Sequence, residues 1–381
     1  MKHPTTSKSG HTRRWPRLIA AVMAVGLLVA ACGDGDETSA GAGDCETVDE
    51  VKLQLQWFAQ AQFAGYYAAV DQGYYEARCL DVEIVQGGVD IVPQQQLGSG
   101  AVDYAISWVP KALVSRQEGI DIVNVAQVFQ RSGTLQVSFA DSGIDSPEDL
   151  AGKKVGNWGF GNEFELLAGS RQAGLEPGVD YELVQQNFDM LALISGEIDA
   201  AQAMTYNEYA QVLETVNDET GELYSADDLT VIDWNDVGTA MLQDAIWADG
   251  AKLGDEAYDD QTTRFIAASI EGWIWCRDNH DACVDVVLAS GTTLGQSHQS
   301  WQLNEINKLI WPSPGGAGVM DKDLWDQTIE VSLSEGVLTA APDDAAYTTE
   351  YAEAAIDLLG DVDTTGSSWS PVEVTLIAGG E

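Results

Sequence analysis

Hydrophobic and polar positions change their period several times along the chain, and each change marks an element. Leu18 to Ala31 is a continuous apolar run interrupted only by Gly26. It falls short of the about 20 apolar residues that a membrane-spanning helix needs. Val51-Lys52-Leu53-Gln54-Leu55 alternates from residue to residue and predicts a half-buried strand. Residues 60–76 carry a helical pattern that ends near Gly73-Tyr74-Tyr75. Leu80 to Val85 is rich in β-branched residues and predicts a second strand. Residues 91–97 predict a helix, and Val102 to Ile106 a third strand. Short strands alternating with helices predict an α/β fold built on parallel strands.

The pattern then recurs. Ser99-Gly100-Ala101-Val102-Asp103-Tyr104-Ala105 returns 96 residues later as Ser195-Gly196-Glu197-Ile198-Asp199-Ala200-Ala201. In both, the glycine is expected to end a helix in a left-handed turn and the β-branched residue to open a strand. Two lobes of similar build are therefore expected. Between the two copies, Ser146-Pro147-Glu148-Asp149 reads as a helix start, with Ser146 as N-cap and Pro147 in the first position. Lys153 to Gly156 predicts a strand. Asn157-Trp158-Gly159-Phe160-Gly161-Asn162 predicts a glycine turn opening a helix from Glu163 to Ala173. Such a turn either offers free backbone N–H groups to a polar or anionic ligand or is a plain strand-to-helix connection.

Charge narrows the partners. The 381 residues include 61 Asp and Glu against 18 Lys and Arg, a formal charge of -43. A surface of that sign repels phosphate backbones, so nucleic acid is excluded as a partner. The 12 Trp, 12 Tyr and 8 Phe and the 45% hydrophobic content argue for a packed core rather than a solvated coil. Lys2, Lys8, Arg13, Arg14 and Arg17 all precede the first apolar run. A basic start followed by a short apolar stretch reads as an export signal over residues 1–31. Its end, Val29-Ala30-Ala31-Cys32, resembles a bacterial lipobox, in which the cysteine carries lipid; the alternative is an ordinary signal with a chance cysteine. Residues 32–47 are dominated by Gly, Asp, Glu, Ser and Thr and read as a flexible tether. The expected location is the extracytoplasmic face of the cell membrane, held there by lipid on Cys32.

Four further cysteines suit an oxidising compartment and allow three pairings. Cys45 and Cys79 each precede an expected parallel strand, and Cys276 and Cys283 flank a helix-breaking turn. The expected pairs are Cys45–Cys79 and Cys276–Cys283. A metal site is the weaker alternative, because no CxxC occurs and only His280 and His298 lie beyond the signal.

The sequence has no phosphate loop of the GxxxxGK(S/T) type, no HExxH and no GxSxG elbow. What it has instead is aromatic density just past expected strand ends. Trp57 and Phe58 follow the first strand, Trp108 the third, Trp158 and Phe160 sit in the glycine turn, and Tyr206 and Tyr209 follow the second copy of the repeat. In open parallel sheets ligands bind at that edge. Aromatics with a few amides and acids suit a flat, polar heterocycle. Any one of these aromatics has core packing as its alternative.

A family resemblance rests on Trp57, Gln60-Ala61-Gln62-Phe63-Ala64-Gly65-Tyr66-Tyr67, Gly73-Tyr74-Tyr75, Leu80-Asp81-Val82-Glu83-Ile84, Gly87-Gly88, Asp103, Leu150-Ala151-Gly152-Lys153-Lys154-Val155-Gly156 and Ser195 to Ala200. In these the chain resembles the thiamine-pyrimidine (NMT1/THI5-like) solute-binding proteins, which share a domain with alkanesulfonate-binding proteins. The resemblance implies a type II periplasmic-binding-protein fold: two α/β lobes, a double hinge crossing and a central ligand cleft. It implies a first lobe of residues 48–138 and 236–381 and a second of 139–235. It also implies a small heterocyclic ligand, with a thiamine pyrimidine precursor foremost, delivered by a monomer without cofactor to an ABC transporter permease. Riboflavin and alkanesulfonate or nitrate stay open as ligands, although the only basic residue noted near a hinge is Arg131. A pyrimidine synthase of the same family is the alternative of another class. The resemblance implies a histidine, a lysine and a cysteine-rich motif for that enzyme; Phe63 and Asn162 stand near where the histidine and lysine are expected.

The residues expected to meet the ligand are Trp57, Gln62, Phe63, Tyr66, Trp108, Asn157, Trp158, Phe160, Asn162, Glu163, Tyr206 and Glu208. Trp57 is expected to face Tyr206 or Trp158 across a planar ring, with Glu208 and Asn162 hydrogen-bonded to its edge.

Overall fold

The computed structural model describes residues 45–381; the segments expected to be an export signal and a tether, with Cys32, lie outside the described residues up to residue 44. Strands follow one another as β1 (Asp49–Gln54), β2 (Leu80–Val85), β3 (Tyr104–Trp108), β4 (Ile122–Gln127), β5 (Thr134–Phe139), β6 (Lys154–Asn157), β7 (Glu182–Gln185), β8 (Ala200–Met204), β9 (Leu229–Asp233) and β10 (Asp244–Asp249). They form two five-stranded sheets, ordered β2-β1-β3-β10-β4 and β7-β6-β8-β5-β9. β1 runs parallel to β2 and β3, and β6 parallel to β7 and β8. In each sheet the fourth place is taken by an antiparallel strand, β10 in the first and β5 in the second. The two lobes therefore have one plan.

The repeated heptad is part of that plan. Asp103 accepts the backbone N–H of Lys52 on its carboxylate (2.9 Å) and donates its own N–H to the Lys52 carbonyl (3.0 Å). Asp199 does the same with Lys154, at 2.7 and 2.8 Å. Each aspartate thus ties the start of its lobe's third strand to the first strand. Gly100 and Gly196 both stand at φ +71°, the left-handed turn that lets the preceding helix end there.

Helices cover the sheets: α1 (Ala64–Asp71), α2 (Pro93–Gly98), α3 (Val109–Gln117), α4 (Phe164–Gln172), α5 (Leu191–Ile194), α6 (Glu208–Leu213), α7 (Trp234–Val237), α8 (Glu256–Asp278), α9 (His280–Ala289), α10 (Gln296–Ile310), α11 (Lys322–Ser334) and α12 (Glu350–Leu359). The helix expected over 60–76 is shorter, a 3-10 turn (Ala61–Phe63) running into α1. The helix start expected at Ser146 is a 3-10 turn closed by a reciprocal Ser146–Asp149 capping box. The largest core lies between the first sheet and α1, α8, α9, α10 and α12, with Phe63, Tyr66, Phe129, Phe265 and Trp273 buried in it. There α1 and α8 meet backbone to backbone. A Cβ on Gly272 would stand 2.0 Å from the Gly65 carbonyl oxygen, and one on Gly65 would stand 2.3 Å from the Trp273 ring.

The chain passes between the sheets twice, through residues 128–133 and, after α7, through 238–243. β5 pairs with β8 and β9, so the first crossing lies ahead of the boundary expected at 138. Polar side chains bind the two crossings together. Gln243 accepts the Gly133 N–H (2.9 Å) and donates to Ser132 Oγ (3.1 Å) and Thr134 Oγ1 (2.8 Å). From α4, the buried Glu165 accepts Ser132 Oγ–H (3.0 Å) and the Met241 N–H (2.7 Å). Burial pushes that carboxyl up to about 8, partly offset by these donors.

Cys45 is bonded to Cys79 and Cys276 to Cys283. The first bond fixes the end of the segment read as tether to the turn before β2. The second joins the end of α8 to the start of α9.

Candidate functional site

Strands that end at a shared edge leave their following residues in the space between the sheets, and there the structure has a cleft of about 890 Å³. The first sheet lines it with Gln56 and Trp57 after β1, the loop over residues 88–94, Ser107 and Trp108 at the end of β3, and Lys111 of α3. The second sheet contributes Trp158 and residues 160–162 after β6, Phe188 after β7, and Met204 and Tyr206 to Glu208 after β8. Volume and lining fall within the range of small-molecule sites, about 300–1,000 Å³ with apolar walls and a few fixed polar groups.

The polar node of the first wall is Asp244. β10 runs antiparallel, so its first residue stands opposite Trp108, the last of β3, and reaches the ligand edge. Asp244 Oδ1 accepts from Gln56 Nε2 (2.5 Å) and Trp108 Nε1 (2.8 Å), and Oδ2 accepts from Gln62 Nε2 (3.0 Å). Gln60 Nε2 in turn donates to Gln62 Oε1 (2.7 Å). Burial pushes the carboxyl up to about 7; the three donors and the nearby Lys111 ammonium pull it the other way. The node fixes the Trp108 indole and two glutamine amides as one unit.

The second wall is shaped by the glycine turn. Gly159, Phe160 and Gly161 all have positive φ, 69°, 54° and 86°. For a phenylalanine that conformation is uncommon, and its ring is left 81% exposed at the cleft. Glu163 Oε2 accepts the Gly161 N–H (3.0 Å), and Asn162 Nδ2 donates to the Gly159 carbonyl (2.7 Å). Asn162 Oδ1 accepts from Lys111 Nζ (2.9 Å), joining the walls. Glu208 is buried; its oxygens accept the Met204 N–H (3.0 Å) and Asn207 Nδ2 (2.8 Å), and burial raises its pKa.

Of the twelve expected ligand residues, Trp57, Gln62, Trp108, Trp158, Phe160, Asn162, Tyr206 and Glu208 line the cleft. Phe63 and Tyr66 instead pack in the core, Tyr66 edge-on to Trp273. Asn157 is buried behind the turn with its amide toward the Val184 carbonyl, and Glu163 serves the turn itself. Trp57 and Trp158 each pack against Phe188, whose ring centroid lies 5.2 Å from Trp57 and 6.0 Å from Trp158. Tyr206 packs edge-on to Phe129. Arg131 donates to the carbonyls of Lys308, Leu309 and Pro312 and does not line the cleft.

Asp244, Gln56, Lys111 and Phe188 were missed. Gln56 stands beside Trp57 and had the same strand-end signal. Phe188 follows β7, a strand too short to stand out. Asp244 and Lys111 carry no local signal, because only the sheet order and the packing of α3 bring them to the edge.

Residues 60–282 match the model of a family described as NMT1/THI5 like. The formylaminopyrimidine-binding protein of Halalkalibacterium halodurans is 26% identical over 325 residues, 82% of this chain and 92% of that protein. The riboflavin-binding protein RibY of Chloroflexus aurantiacus is 25% identical over 354 residues, 88% and 97% of the two. The periplasmic aliphatic sulphonate binding protein of Escherichia coli superposes with a TM-score of 0.59 at 16% identity, covering 86% of this chain and 94% of that one. The double-crossed pair of sheets is thus a periplasmic-binding-protein fold. These relatives, matched along most of the chain, are binding proteins; two matched 4-amino-5-hydroxymethyl-2-methylpyrimidine phosphate synthases span only 40% and 33% of it.

Proposed function

The chain belongs to the NMT1/THI5-like family, and from that premise we propose that it is an extracytoplasmic solute-binding protein. It captures a planar heterocycle, a pyrimidine precursor of thiamine, and delivers it to an ABC importer. The observation that carries this reading is the cleft: aromatic side chains from both sheets line it together with the buried carboxylate Glu208 and with Gln56, Gln62 and Trp108, which Asp244 holds from behind. Trp57, Phe188 and Trp158 form a run of rings on which a flat ligand stacks. Gln56, Gln62 and Glu208 supply the polar edge, the two amides held in place by Asp244. Lipid on Cys32 holds the protein at the outer face of the membrane, in keeping with the lipobox and with two disulfides.

A flavin is the second reading. A volume of about 890 Å³ is generous for one pyrimidine ring, and a relative matched over 88% of the chain is named for riboflavin.

Calorimetric titration with aminopyrimidines, thiamine and riboflavin tests both. Trp57→Ala is expected to weaken the binding ligand by more than about 1 kcal/mol through lost stacking and area. Glu208→Gln should cost about 1.5–3 kcal/mol if the carboxylate meets the ligand. Unchanged affinity in both variants, with melting temperatures intact, would remove these residues from the site.

A further inference from the structure

Among the described residues that line the cleft, Lys111 is the one cation. It stands in the first turn of the nine-residue α3, whose positive dipole end adds to its charge. Its ammonium lies 4.7 Å above the Trp108 ring and donates to one neutral partner, Asn162 Oδ1 of the opposite wall. Among the described residues no ion pair satisfies it. The acids that act on it through space, Asp244 and Glu163, make no ion pair with it: Asp244 accepts from Gln56, Gln62 and Trp108, and Glu163 from the Gly161 N–H. A half-buried ammonium with one neutral acceptor retains N–H donors for a ligand. Beyond it on the same glycine turn as Asn162, the indole N–H of Trp158 is buried and has no partner. It is a donor without an acceptor on the wall that faces Lys111.

We propose that Lys111 and Asn162 form an oxyanion subsite, so that the heterocycle taken by this protein carries an anionic substituent — phosphate, sulfonate or carboxylate — directed at α3. The inference rests on the reading of the cleft as a heterocycle site and names the class of heterocycle. The ring stacks on the aromatic run, and the anion gives Lys111 the direct ion pair that no side chain of the described residues makes with it. Because Lys111 and Asn162 come from different lobes, an anion bound between them also holds the walls together. Burial lowers the Lys111 ammonium to about 8 against the opposing pull of the Asp244 and Glu163 carboxylates, so it keeps most of its charge at pH 7.

The test uses neutral and anionic forms of the same ring: 4-amino-5-hydroxymethyl-2-methylpyrimidine with and without its phosphate, and riboflavin with and without its 5′-phosphate. Affinities are measured by calorimetry at pH 7 with the wild-type chain, Lys111→Met and Lys111→Arg. The expected result is that one pair binds and its phosphate ester is favoured by about tenfold or more, the range of a charge-assisted hydrogen bond. Lys111→Met should abolish the preference, and Lys111→Arg should restore most of it. If a ring binds without preference for its phosphate, or the preference survives in Lys111→Met, the subsite is overturned while the heterocycle reading stands. If neither ring binds in either form, the heterocycle reading falls and the subsite with it. The wild-type preference needs no variant, so instability of Lys111→Met cannot mask the outcome.

Discussion

Replacing Asp244 with Asn probes the polar node of the cleft through its proton. In the folded chain burial raises this carboxyl to about 7, against about 3.9 for an unfolded aspartate. A group raised on folding binds its proton more tightly folded than unfolded. Its contribution therefore favours the fold at low pH and is withdrawn as pH rises from about 4 through about 7. At about 1.4 kcal/mol per unit, the site loses about 2.5 kcal/mol of stability between pH 5 and pH 7.5. Asp244→Asn cannot titrate and loses none of it. The amide oxygen still accepts from Gln56 and Trp108, but the amide NH2 meets the Gln62 Nε2 donor. One buried hydrogen bond is broken, at about 1–3 kcal/mol. The variant should thus be less stable than wild type at pH 5 and draw level with it or pass it by pH 7.5. Glu165, raised to about 8, adds the same slope to both proteins and cancels in the difference. Urea unfolding at pH 5, 6, 7 and 7.5, followed by tryptophan fluorescence, measures this. Parallel stability curves would refute the argument that Asp244 is a buried, proton-binding carboxyl.

Two further outcomes are expected. Gly272→Ala drives a methyl into the Gly65 carbonyl oxygen, 2.0 Å from its Cβ; neither backbone has room, so thermal denaturation should show a loss of about 3 kcal/mol or more, and a loss under about 1 kcal/mol would mean that α1 and α8 are not in such close contact. Replacing Cys45 and Cys79 with Ala opens a loop of sequence separation 34 and replacing Cys276 and Cys283 opens one of 7, so chain entropy predicts losses of about 4 and about 2.5 kcal/mol; denaturant titration of the two double variants giving the reverse order would contradict that account.

Much of this molecule is legible in local pattern because much of it is built locally. β2 spans Leu80 to Val85, the run whose β-branched content predicted it, and the two copies of the heptad occupy equivalent places because each aspartate has the same backbone to hold. Strand-end aromatics are legible for the same reason: the residue after a strand is placed by the strand. Orientation about a helix axis is not. Phe63 and Tyr66 follow within the same loop-and-helix connection as Trp57, but the 3-10 turn and α1 direct them under the sheet against α8, a helix some 190 residues further on. Asp244 shows the same limit from the other side. In Gln243-Asp244-Ala245 it reads as one surface acid among 61, and it becomes the centre of a wall only because β10 returns to the first sheet antiparallel. Lys111 looks like a solvated helix residue until the second lobe is set opposite to it.

The return of β10 also has a consequence for the order of assembly. A chain that emerges N-terminus first delivers β1 to β4, then the whole contiguous run β5 to β9, and only then the strand that belongs between β3 and β4. The second sheet has all its strands while the first still has two open inner edges, of the kind that recruit foreign strands. Closing them waits on contacts distant in sequence, the slow kind to form. The late strand is also the one that carries Asp244. The node that holds Gln56, Gln62 and Trp108 is therefore complete only once the last strand has entered the first sheet.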